Sequence, residues 1–147
     1  MAKCAAGALT DAEKFLEQGY AEANELERRT GRTFDRRQLD DRRAKFLMLR
    51  AGKTTRVGGD LFRDFKEAIE LTGKILRQND PQHYPFETLA EVARTYGLVG
   101  QHLDDGHKAL VDKWLGQLVI YARQRVAVVA LGYQRDKAQS ALDNVGS

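Results

Sequence analysis

Apolar residues recur every three or four positions through most of the sequence, the period of amphipathic helices. Phe15, Leu16, Tyr20, Ala23 and Leu26 mark the first such face. Thr10-Asp11-Ala12-Glu13 ahead of it has the form of a capping box. In such a box the threonine hydroxyl accepts an early amide hydrogen and the glutamate reaches back. This first helix is expected to begin there, with 1–9 as a flexible tail, and Gly31 is placed to end it. A second helix is expected from Phe34 to Arg50, with Leu39, Phe46 and Leu49 inward and Gly52 as a left-handed stop. After a loop over 53–59, Asp60 is a natural N-cap for a third helix, Leu61 to Arg77. Its face is Phe62, Phe65, Ala68, Ile69, Thr72 and Leu76. Asn79-Asp80-Pro81 breaks the period. Pro85 fits the first turn of a fourth helix that reaches Tyr96 and stops at Gly97.

The longest pattern starts near Gly106. Leu110, Val111, Trp114, Leu115, Leu118, Val119, Ala122, Val126, Val129 and Tyr133 hold one side for more than six turns, with Gly132 as a point of kinking. This stripe approaches half the circumference, wider than the roughly 100° that one packing partner requires. It describes either the central helix of a monomer or a helix shared with another subunit. In the second case Trp114, Leu118, Tyr121, Val126 and Val129 are the candidate interface. Val126–Val129 is the only strand-like run, and it continues the helical period. The expected fold is therefore all-α. About five helices form a single bundle-like domain over 1–147, with a long C-terminal helix and flexible tails at 1–9 and 144–147.

At 42% hydrophobic and 31% charged residues, the 147-residue chain has a globular balance and enough length for a core. Cys4 is alone, which excludes an internal disulfide and a cysteine-built zinc site. No long apolar run opens the sequence, so no secretory signal is expected. Asp112, Lys113, Arg123 and Arg125 interrupt the most apolar stretch, which argues against a membrane span. These features suit the cytoplasm or the interior of a virion.

The net charge of +3 conceals a division. Residues 1–26 carry two basic and five acidic groups, net −3. Residues 27–56 carry eleven basic and four acidic groups, net +7, and nine of the eleven are arginines. The guanidinium fork matches phosphate and carboxylate oxygens better than an ammonium does. Some of these charges have a local acid four residues away on the same helix, as in Arg36–Asp40, Arg37–Asp41 and Asp41–Lys45. Arg28, Arg29, Arg32, Arg50, Lys53 and Arg56 are the candidate contacts to an outside polyanion.

Other chemistry finds little support. Gly52-Lys53-Thr54-Thr55 imitates the end of a phosphate-binding loop, but Leu47 occupies the place of the first glycine and a helical pattern precedes it. His102 and His107 are five apart, about 140° around a helix, so they do not share a metal-facing side. The only serines are Ser140 and Ser147, and no carboxylates are paired in an apolar setting. No enzymatic activity, cofactor or metal is expected.

Thr88–Gly106 resembles a helix-turn-helix DNA-binding motif. Ala93 stands four before Gly97, Val92 and Tyr96 are apolar, and Leu98 and Leu103 follow. The resemblance implies a recognition helix offering Gln101 and His102 to base edges. Asp104 and Asp105 depart from it, since carboxylates are repelled by phosphates. Either aspartate serves more simply as the N-cap of the last helix.

Two functions follow as expectations. The first is a non-catalytic helical binding protein that grips DNA or RNA through its arginine-rich segment, as an accessory or regulatory factor. The alternative is an oligomeric assembly protein, for example a phage virion component, whose helices pack between subunits. There the arginines would meet an acidic protein or the acidic N-terminal segment of a neighbouring copy.

Overall fold

The computed structural model describes residues 2–53, 57–79, 82–129 and 131–145, with side chains from residue 8 onward. All regular structure among them is helical. The α-helices are α1 (Ala2–Thr30), α2 (Arg37–Lys53), α3 (Gly58–Leu76), α4 (Tyr84–Val99), α5 (Asp105–Arg125) and α6 (Tyr133–Val145).

Helix α1 does not begin at the capping box. Alanines 2, 5, 6 and 8 are strong helix formers and carry the helix back to Ala2, so Thr10 is interior and the supposed tail 2–9 is helical. Gly31 ends α1 as expected. At φ +67° it adopts the left-handed conformation, and its amide donates to the Glu27 carbonyl at 2.9 Å. The stops expected at Gly52 and Gly97 are not made. Both glycines lie inside helices, α2 running on to Lys53 and α4 to Val99. Neither adopts a positive φ.

Helices α2, α3 and α4 pack on one another, α1 lies on α2, α5 on α3, and α6 on α4. Phe65, Leu61 and Leu76 of α3, Leu47 and Met48 of α2, and Phe86, Leu89 and Val92 of α4 are fully buried where the three meet. Each such side chain contributes about 1.5–3 kcal/mol through removal from water.

Polar latches join the same helices. Asp40 and Asp41 are buried on α2. Asp40 accepts from the Tyr20 hydroxyl of α1 at 2.6 Å and from Lys74 of α3 at 3.2 Å. Asp41 accepts from Thr88 of α4 and pairs with Lys45. Each buried carboxylate thus has a partner on another helix, which keeps it from standing uncompensated in the interior.

The greatest departure from expectation is at the C-terminus. The long last helix breaks after Arg125. One 3-10 turn (Val126–Val128) and an extended Val129 follow, and Gly132 at φ +91° starts α6 in a new direction. Two arginines near this corner donate to backbone carbonyls, Arg125 to those at the end of α3 and Arg135 to those of the corner itself. Arg125 donates to Leu76 O at 2.9 Å and Gln78 O at 2.7 Å, while Arg135 donates to Ala127 O and Val129 O. Helix α6 then buries Ala138, Ala141 and Leu142, and its Gln134 accepts from the His83 amide at the start of α4 at 2.9 Å.

Candidate functional site

The arginine-rich segment spans the end of α1, the connection 31–36 and all of α2, and the fold divides it. Arg37 and Lys53 stand at opposite ends of α2, sixteen residues or about 24 Å apart. Arg28, Arg29 and Arg32 lie at the first end, and Arg50 and Lys53 at the second.

At the second end Arg50 is engaged inside the molecule. Its guanidinium donates to the buried Asp64 of α3 at 2.6 Å and stacks over Phe46 at 5.4 Å. The acid is fourteen residues away, which is why local spacing did not reveal the pair. Lys53 is exposed and isolated from the other candidates, and Arg56 lies outside the described residues. The six expected contacts therefore do not form one surface.

The first end is more coherent. Arg28 and Arg29 are exposed and share Glu25, at 2.6 and 3.0 Å. Arg32 is exposed, and among the described residues its guanidinium has no carboxylate partner. Arg36 bridges back to Glu27 and to Asn24, and Arg37 grips Asp35 with two of its nitrogens. These donors hold the Glu27 and Asp35 carboxyls below the usual carboxylate range. The antiparallel packing of α3 on α2 brings Lys74 and Arg77 to the same place. Lys74 pairs with Asp40, whereas Arg77 lies over the Tyr121 ring at 5.7 Å and has no carboxylate partner among the described residues. A polar cleft of about 740 Å³ is bordered by Arg36, Arg37, Lys74 and Arg77 together with the carboxylates Asp35 and Asp40, with Phe34 and Asn79 at its edge.

Among the described residues, seven basic groups (Arg28, Arg29, Arg32, Arg36, Arg37, Lys74, Arg77) and four acids (Glu25, Glu27, Asp35, Asp40) belong to these helix ends, three more basic than acidic. Lys74 and Arg77 were missed because they belong to another helix by sequence. The signal that places them is the antiparallel α2–α3 pairing, which sets the end of one beside the start of the other.

The remaining candidates are distributed elsewhere. Gln101 and His102 are exposed on a 3-10 turn of three residues between α4 and α5. No separate recognition helix intervenes, and Asp104 is the N-cap of α5, accepting from the His107 amide at 2.8 Å. Of the expected interface, Leu118 and Val129 are buried within the chain, and Trp114, Tyr121 and Val126 are half-buried against the core. Within the chain, the α5 part of the stripe packs mainly on α3.

Among the described residues, no three His, Cys, Asp or Glu side chains converge to hold a metal ion, and no helix is long and apolar enough to cross a membrane. The chain matches no protein-family model, no curated protein and no solved structure.

Proposed function

We propose that the chain is a non-catalytic, bundle-like helical protein that binds a polyanion, DNA or RNA, at the pole formed by the end of α1, the connection 31–36, the start of α2 and the end of α3. The observation that carries this reading is the excess of basic over acidic groups, among the described residues, at the helix ends around the Arg36–Arg37–Lys74–Arg77 cleft, where Arg77 in the cleft and Arg32 outside its lining have no carboxylate partner among those residues. Arg28 and Arg29 share a single glutamate, so one charge of that trio is also uncompensated. Backbone phosphates satisfy such groups and release condensed counterions, which makes affinity depend steeply on salt. The rigid internal pairs Arg36–Glu27 and Arg37–Asp35 give the cleft a fixed shape, so an incoming backbone meets a preformed edge. The site offers no nucleophile or acid–base pair, and the role proposed is accessory or regulatory.

The test is fluorescence anisotropy of labelled DNA and RNA against the purified chain in a salt titration. Binding at low ionic strength that collapses as salt rises is the expected result. Absence of binding to both nucleic acids at low ionic strength rejects the reading.

A further inference from the structure

A second surface stands apart from the basic pole. Helix α1 has 29 residues, and over 8–30, where its side chains are described, it buries Leu9, Leu16 and Ala23, one residue in every seven. That is the narrow seam of a helix resting on a single neighbour, here α2. The other side of α1 carries Ala8, Asp11, Phe15, Gln18 and Glu22 at alternating spacings of three and four, so they form a second stripe along the helix. Phe15 in the middle of it is 72% exposed.

This stripe borders an apolar groove of about 690 Å³ that runs over α2 between α1 and α4. Phe46, Leu39 and Leu16 contribute apolar lining, Leu49 is 45% exposed at the side, and the charged lining is Arg42 and Lys45 of α2 with Glu87 and Glu91 of α4, the last paired with Arg94. Lys45 is paired with Asp41. Among the described residues, neither Arg42 nor Asp11 on α1 has an ion-pair partner. The monomer therefore presents an unfilled groove, a large aromatic ring projecting at its border, an unpaired cation beside it and an unpaired acid on the projecting helix.

We infer that the groove receives α1 of a second copy of this chain, forming a two-fold dimer in which each Phe15 enters the partner's groove and each Asp11 meets the partner's Arg42. A two-fold interface demands that one patch supply both knob and hole. The Phe15 border of this groove meets that demand, and Asp11 is opposite in charge to Arg42. Phenylalanine is also the type of anchor that carries binding energy when it fills a desolvated pocket. The inference does not rest on the polyanion reading, since none of its residues belongs to the basic pole.

Light scattering coupled to size-exclusion chromatography on the full chain tests it. The parent is expected at twice the 16.6 kDa of one chain. Phe15→Glu is expected at the single-chain mass with unchanged circular dichroism, since its side chain makes little of the monomer core. Asp11→Arg and Arg42→Glu should each dissociate the dimer, and the two combined should restore it. A parent that runs as a monomer overturns the inference. So does a dimer that survives both Phe15→Glu and the single charge reversals, because its interface then lies elsewhere.

Discussion

Asp41 shows how a buried charge is tolerated here and at what cost. Burial raises its carboxyl above the ordinary 3.8, while Thr88 and Lys45 pull it back down. Between the ordinary value and the raised one the folded chain holds a proton that the unfolded chain has released. Stability therefore falls as pH rises through that window, and the cost of the charge is fully present at neutral pH. Asp41→Asn keeps an oxygen for the Thr88 hydroxyl and cannot ionise. It should melt a few degrees above the parent at pH 7, with the gain disappearing below the window, as read by thermal denaturation at several pH values. Gly100 makes a steric demand instead. A Cβ there would sit 2.7 Å from the Tyr96 ring, which is held edge-on to Phe65 and tied by its hydroxyl to Asp112 at 2.5 Å. Gly100→Ala is expected to cost about 1–3 kcal/mol in urea denaturation. Neither effect is visible in the sequence. Asp41 reads there as the partner of Arg37 and Lys45 on an exposed face, because nothing local indicates that Thr88, 47 residues on, covers it.

Helices were legible where a periodic face coincided with real burial. Helix α3 is the clearest case, since Phe65, Ala68, Ile69, Thr72 and Leu76 all enter the core. Ends were read less well, because a cap is a local option that neighbouring propensity can override. Thr10 is bypassed by the alanines before it, and Gly52 and Gly97 stay helical because the adjoining turns are supported by packing. The break between α5 and α6 was hidden for another reason. Ala122, Val126, Val129 and Tyr133 keep helical spacing straight through it, so periodicity alone cannot report that the chain changes direction. What makes the corner is Gly132 at φ +91°, together with the Arg135 side chain that occupies the freed Ala127 and Val129 carbonyls, while Arg125 ties the end of α5 to the end of α3. Gly132→Ala places a Cβ in a conformation disfavoured for L-residues and should lower stability by about 1 kcal/mol. Helical content should not change, a combination that circular dichroism during thermal melting separates from loss of α6.

Charge distribution was half legible. The arginine-rich segment is plain in the sequence, and Arg28, Arg29 and Arg32 do sit together, but linear proximity overstated the rest. Arg50 serves the buried Asp64, Lys53 is about 24 Å down α2 from Arg37, and Lys74 and Arg77 join the pole from α3. The fold converts a block of charge along the chain into a smaller pole made from three helix ends. Surface charges that already face a carboxylate add little to a partner, so the unpaired Arg32 and Arg77 should dominate. The decisive comparison is the slope of log affinity against log salt for the parent, for the Arg32→Ala/Arg77→Ala double variant and for Lys53→Ala. Each lost phosphate contact lowers the slope by about one. The double variant should fall by about two with its melting temperature close to the parent's, while Lys53→Ala should leave the slope unchanged. Equal slopes for all three, or a loss confined to Lys53→Ala, would contradict the assignment of the pole.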